Sequence, residues 1–224
     1  MTTFRKIVFR NNYYYHIYNR SIEKKPIFNN LREYSRAVLA LQFYRFSDLP
    51  TKLSKFLVLN QDVQLNYLKK FNTNINKLVD ILAYGIMPNH FHFILEQKQE
   101  GGIARFISNF ENSYTKYYNT KEDRVGPIFQ GLFKSVYVES DEQLVHLSRY
   151  IHLNPVSSSL IKPEELENYP WSSFPEYLNL SKTNICNTQP VLSLFSSVNK
   201  YRNFVYDQIA YAKELEKIKH LIME

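Results

Sequence analysis

The stretch Met87-Pro88-Asn89-His90-Phe91-His92-Phe93-Ile94-Leu95 sets two imidazoles on either side of one phenylalanine at the head of an apolar run. In an extended strand side chains alternate faces, so His90 and His92 project to one side while Phe91, Phe93 and Leu95 point into a core on the other. Two imidazoles on one face can share a metal ion. The Pro-Asn turn signal before them places the pair at a sheet rim, where substrate can reach an ion. Histidines that are solvent-facing or hydrogen-bonded, and ligate nothing, produce the same pattern.

A second constellation is Arg149-Tyr150-Ile151-His152-Leu153-Asn154-Pro155, in which Tyr150 and Asn154 are four residues apart and share one face of a helix. If that face looks down on the sheet, the two imidazoles and an amide oxygen would hold a divalent cation with a phenol beside it. An ion with open positions polarises a phosphoryl oxygen, and a phenolate attacks the polarised phosphorus. The phenol, with an ordinary pKa of about 10, needs help from the ion and from a cation such as Arg149. The alternative is structural: Tyr150 as a core-edge aromatic and Asn154 as the cap of a helix C-terminus.

These groups need elements to carry them. Residues 13–20, rich in strand-favouring aromatics, read as a first strand, and Leu31 to Phe46 as a helix. Residues 48–76 read as an inserted helical segment. Val79 to Ile86 and the histidine-bearing 91–96 make an antiparallel hairpin. After Gly101-Gly102, apolar Ile103, Phe106, Ile107, Phe110, Tyr114 and Tyr117 recur at helical spacing. Leu132 to Glu139 reads as a fourth strand, and Ser140-Asp141-Glu142-Gln143 as a capping box opening a helix that Asn154-Pro155 should end near Leu153. Strand, helix, strand, strand, helix, strand predicts an α+β fold: a ferredoxin-like or RNA-recognition-like antiparallel sheet with helices on one face. The expected organisation is one domain over 1–177 and an accessory extension over 178–224, with a charged helix from Val198 to Ile222.

Composition narrows the partners. The 224 residues carry 28 Lys and Arg against 21 Asp and Glu, a net charge of +7, which favours an anionic partner. Aromatics are 16% of the chain, and basic side chains interleaved with aromatics suit single-stranded nucleic acid. The single Cys186 excludes an internal disulfide and cysteine-based zinc ligation. With no signal-like N-terminus and no long apolar run, a cytoplasmic protein is expected, without membrane contact.

Ala83-Tyr84-Gly85-Ile86-Met87-Pro88-Asn89-His90-Phe91-His92, then Tyr150-Ile151-His152-Leu153-Asn154-Pro155-Val156, then Tyr169-Pro170-Trp171-Ser172-Ser173-Phe174 resemble the REP-associated tyrosine transposases. These are single-tyrosine HUH transposases related to those of the smallest insertion sequences. Tyr18-Asn19-Arg20 and Gln130-Gly131-Leu132-Phe133-Lys134 share the resemblance, which spans most of residues 13–177. It implies a metal-dependent single-stranded DNA endonuclease and strand-transferase. His90 and His92 would be its metal pair, Tyr150 its nucleophile, and Asn154 its third ligand, where the insertion-sequence relatives usually carry Gln. The implied ion is Mg²⁺ or Mn²⁺. The implied partner is a hairpin or palindromic repeat of DNA, in a bacterial, nucleoid-associated setting, for a monomer or homodimer. Residues expected to contact DNA are Asn19, Arg20, Lys116, Tyr118, Lys134 and Arg149, with Tyr114 and Tyr117 as further stacking candidates. A domesticated hairpin-binding protein or regulator that does not cut is the alternative.

Overall fold

The computed structural model describes residues 7–71, 77–181 and 183–209, with 68–71 as backbone alone. Its centre is a four-stranded antiparallel sheet of β1 (Tyr14–Arg20), β2 (Val79–Met87), β3 (His90–Gln97) and β4 (Lys134–Tyr137), in the order β2-β3-β1-β4. That order, with α1 (Leu31–Tyr44) joining β1 to β2 and α4 (Gly102–Lys121) joining β3 to β4, is the ferredoxin-like arrangement expected from the sequence. Asn30 opens α1 by accepting the Glu33 amide at 3.1 Å. Short α2 (Leu53–Phe56) and α3 (Gln61–Phe71) fill the insertion, and Leu53 and Phe56 are buried in the main core.

Alternation along the strands sorts the two faces. Tyr15, Ile17, Phe91, Phe93 and Leu95 are buried under α1 and α4 in the larger core, where Phe91 and Phe93 meet the Phe110 ring edge-on at 5.3 and 5.5 Å. Tyr14, His16, Tyr18 and Arg20 of β1 lie on the opposite face, paired across the register with Glu96, Ile94, His92 and His90. The two helices expected on one face are therefore α1 and α4, and a third, α5 (Asp141–Ser157), covers the other.

Ser140 caps α5 by accepting the Gln143 amide at 3.2 Å, and the Gln143 side chain accepts the Glu139 amide at 2.9 Å. The helix does not stop at Leu153. It runs to Ser157 with Pro155 inside it. Proline has no N–H for the carbonyl four residues back, and its ring crowds that carbonyl, which belongs to Ile151. Here the Ile151 carbonyl faces Gly85 of β2, so closely that a Cβ built there would lie 3.2 Å from it. Tertiary packing thus accommodates the carbonyl that local preference would not.

The chain after α5 is built into this layer rather than appended to it. Ile86 N–H donates to the Trp171 carbonyl at 2.9 Å, Ser173 N–H to the Tyr84 carbonyl at 2.9 Å, and Asn187 N–H to the Ile81 carbonyl at 2.8 Å, covering the β2 edge. Trp171 also stacks on Tyr34 of α1, 4.9 Å between ring centroids. Glu176, in α6 (Phe174–Tyr177), accepts the Ile185 and Cys186 amides, both at 2.9 Å. Val191 of α7 (Gln189–Leu192) and Tyr201 and Val205 of α8 (Val198–Tyr206) share the smaller core with Leu144, Ile151 and Tyr177. The expected continuation of the last helix to Ile222, with Lys213, Glu214, Glu216 and Lys217, lies outside the described residues.

Candidate active site on the histidine face

The β2–β3 turn at Pro88-Asn89 is anchored from outside: the Pro88 carbonyl accepts Ile27 N–H at 2.8 Å and Phe28 N–H at 3.0 Å, and the Asn89 carbonyl accepts Ser21 N–H at 2.8 Å. His90 therefore leaves a fixed hairpin tip. Asn89 donates its Nδ2 to the Lys24 carbonyl at 2.8 Å, which turns its Oδ1 toward His90 Nδ1 at 2.6 Å. The His90 and His92 rings stand perpendicular, their centroids 5.2 Å apart.

Tyr150, from α5, meets His92 of this pair. Its ring lies edge-on to His92 at 5.4 Å and to His16 at 6.4 Å, and the residue is 39% exposed. The spacing of α5 from the sheet that permits this contact is set where Ile151 crosses Gly85, the residue paired with His92 across β2 and β3. Asn154 follows Tyr150 by one turn on the same helical face and is buried. Gly85→Ala is accordingly expected to cost about 1–3 kcal/mol in urea unfolding, because backbone and Ile151 Cγ2 must both yield to the new methyl. It should also slow any chemistry at Tyr150 more than it weakens binding, and an unchanged rate would show that α5 spacing is not set here.

His16, which the reading of the sequence left without a role, is the third imidazole of this surface. Its Nε2 lies 2.9 Å from His92 Nδ1, and its ring neighbours those of His92 (5.1 Å) and Tyr18 (4.8 Å), which also adjoin each other. Burial pushes the His16 imidazole down to about 4, so the ring is neutral at ordinary pH. The signal was present in β1, where strict alternation puts Tyr14, His16, Tyr18 and Arg20 on one face. Only the β1–β3 register, which is not a local property, brings that face beside His92.

The expected DNA contacts divide by face. Arg20, paired with His90, and Lys134, paired with Tyr18, are both exposed on the histidine side. Lys134 Nζ stands 6.0 Å from the Tyr18 ring centre. Exposed Val136 beside them leaves the β4 margin of this face open. Asn19 points the other way: it is buried, donates Nδ2 to Glu111 at 2.8 Å and accepts the Arg20 amide at 2.8 Å. Its expected surface contact is corrected to a bond that fastens β1 to α4. Arg149 is likewise engaged elsewhere, with its guanidinium 4.0 Å over the Phe204 ring and Nη2 2.7 Å from His146 Nδ1. This corrects its expected role as the cation beside Tyr150.

Lys116 and Tyr118 sit on α4, under the opposite face of the sheet, Lys116 exposed and Tyr118 half-buried with Arg124 6.0 Å from its ring centre. Tyr114 is fully buried and donates to the Ile27 carbonyl at 2.6 Å, so it is not available for base stacking. Tyr117 packs against the larger core, with the Arg36 guanidinium 5.5 Å from its ring centre.

Among the described residues no three His, Cys, Asp or Glu side chains converge as a metal cluster, so an ion here would rest on His90, His92 and an amide donor. The donor set fits. Asn89 Oδ1 only accepts, so His90 carries its proton on Nδ1 and its lone pair on Nε2, the form in which imidazole ligates. No described helix is long and apolar enough to cross a membrane.

Residues 51–154 match the family model described as "Transposase IS200 like", a span that contains His90, His92, Tyr150 and Asn154 and begins after β1. Among solved structures, the chain is similar to a REP-associated tyrosine transposase bound to a REP hairpin, at 14% identity and a TM-score of 0.52. That match covers 84% of this chain and 98% of the other. The likeness is one of fold. A structure of tRNA(His) guanylyltransferase from Saccharomyces cerevisiae aligns at 16% identity and a TM-score of 0.30, over 85% of this chain and 80% of that one, too low to carry meaning. No curated protein matches the chain.

Proposed function

We propose that this chain, whose residues 51–154 match the IS200-like transposase model, is a single-stranded DNA endonuclease and strand-transferase acting at hairpin DNA through Tyr150. The observation that carries this reading is the Tyr150 ring set 5.4 Å from His92 in one chain, on an open sheet face that also presents Arg20 and Lys134. A partly exposed tyrosine beside a histidine of the candidate metal pair supports a role as nucleophile. The fold relative's REP hairpin supports a hairpin as the DNA partner.

In the proposed reaction the Tyr150 oxygen attacks a backbone phosphorus and the P–O3′ bond breaks. The 5′-phosphate becomes ester-linked to the tyrosine, while the departing 3′-oxygen takes up a proton as a hydroxyl. Attack by a 3′-hydroxyl on that linkage reverses the exchange without ATP, since the number of phosphodiester bonds is unchanged. His90, His92 and Asn154 would hold Mg²⁺ or Mn²⁺, which supplies Lewis-acid polarisation of the phosphoryl oxygen when bound. Imidazole ligands favour manganese or a later transition metal, and the abundance of magnesium favours magnesium. Arg20 and Lys134 would hold the strand by its phosphates, and Tyr18, stacked on His92 at 5.6 Å, offers a ring to a base.

The test is to incubate the protein with labelled hairpin-forming single strands from the DNA flanking its own gene and resolve them on a denaturing gel. A covalent band is expected with Mn²⁺ or Mg²⁺, absent in EDTA and restored by adding metal back. His90→Ala should lose the band while retaining its native-gel shift. A shifted complex that never yields a covalent band, under any metal, would instead mark a hairpin-binding protein that does not cut.

A further inference from the structure

We infer that His16 is a positioning residue for the metal site: it accepts a hydrogen bond from His92 Nδ1–H, fixing the tautomer that leaves the His92 lone pair on Nε2. The inference rests on the proposed metal role of His90 and His92 and extends it to a residue outside the matched span 51–154.

The two site histidines are treated alike by their surroundings. His90 Nδ1 is held at 2.6 Å by Asn89 Oδ1, an atom that can only accept, and the orientation of that amide is fixed by its own bond to the Lys24 carbonyl. His92 Nδ1 is held at 2.9 Å by His16 Nε2. Two facing ring nitrogens at that separation share one proton, so one must donate and the other accept. With His16 as acceptor, both site histidines carry protons on Nδ1 and offer Nε2, which is the outer-shell pattern of metal-binding imidazoles. With His16 as donor, His92 would carry its proton on Nε2 and could not ligate through it.

Geometry makes His16 suited to hold rather than to ligate. Its one described polar contact is directed at His92, and its ring lies beside that of His92, 24° from parallel, with Tyr18 neighbouring both, so it braces the plane of His92 as well as its protonation. The same ring lies edge-on to Tyr150 at 6.4 Å, so moving His16 loosens the nucleophile's bed as well as the ion's.

Two measurements on the full chain test this. Imidazole ¹⁵N–¹H correlation spectra of the metal-free protein should show His92 protonated at Nδ1. Finding it protonated at Nε2 overturns the inference whether or not the protein binds metal. Calorimetric titration with Mn²⁺ should then show affinity weakened roughly 10–100-fold in His16→Phe. His16→Gln, which retains an acceptor, should recover most of it. Equal Mn²⁺ affinity in wild type and His16→Phe overturns the role of His16, whereas absence of Mn²⁺ binding in the wild type overturns the metal site itself. A loss that Gln does not relieve would make His16 a ligand rather than a brace, and would also overturn the inference.

Discussion

Tyr150→Phe is expected to abolish the covalent protein–DNA adduct, a loss on the order of 10⁴-fold or more in cleavage, while hairpin affinity stays within about twofold. The asymmetry follows from where the hydroxyl sits. Tyr150 is 39% exposed, and its described packing is through the ring, against His92 and His16. Phenylalanine preserves those ring contacts and removes the atom that would become esterified. Were Tyr150 a core-edge aromatic, the same substitution would change neither the gel nor the native complex. Labelled hairpin strands resolved in parallel on denaturing and native gels separate these outcomes, and an adduct persisting in the variant would move the nucleophile to another residue.

The site was legible in the sequence to the extent that it depended on local periodicity. The His-Phe-His alternation gave the face and the rim, and the four-residue spacing of Tyr150 and Asn154 gave the helical face that meets it. The parity that hides Asn19 was available too: Asn19 falls in step with Tyr15 and Ile17, the buried side of β1, and not with His16. What could not be read locally depends on register and on distant packing. His16 reaches His92 only through strand pairing across more than seventy residues, and the Arg149 guanidinium is drawn away by Phe204 from the far end of the chain. Pro155 is the sharpest instance. Its conflict with the carbonyl four residues back is a sound local rule, and it is met here because a glycine on a strand seventy residues earlier leaves space for the Ile151 carbonyl.

The start of the last helix at Val198 was readable locally, but the packing of the segment after residue 157 was not, since its side chains complete a polar chain through the interior. His152, fully buried one turn before Val156, lies 2.7 Å from Ser173 Oγ through Nε2 and 2.7 Å from the Tyr201 hydroxyl through Nδ1. The directions of the bonds resolve its tautomer. Ser148 Oγ donates to the Val145 carbonyl at 2.8 Å, so it accepts from the Tyr201 hydroxyl at 3.0 Å, and Tyr201 in turn accepts from His152 Nδ1–H. Ser173, receiving the Tyr84 amide at 3.0 Å, donates to Nε2. With the ring neutral, each of these hydrogens has an acceptor, from β2 through the tyrosine helix to α8, and the shorter contact of Ser173 Oγ is to Nε2 at 2.7 Å rather than to the Tyr84 carbonyl at 3.3 Å.

Burial accordingly pushes His152 down to about 3 from an ordinary 6.5. The unfolded chain takes up a proton on this ring below pH 6.5 and the folded chain does not until about pH 3. Stability is therefore complete above 6.5 and falls by about 1.4 kcal/mol for each pH unit below it, until the folded ring also protonates. Across two units that is roughly 3 kcal/mol, a large part of the 5–15 kcal/mol that holds a typical domain together. Urea unfolding of wild type and His152→Gln between pH 7 and pH 4 isolates the effect. The variant should be less stable at pH 7 by about 2–4 kcal/mol, from orphaned buried partners, and its stability should fall with acid by one proton's slope less. Parallel slopes would mean that His152 already carries its proton in the folded state, and that the interior chain binding the tyrosine helix to the rest of the protein is open at that end.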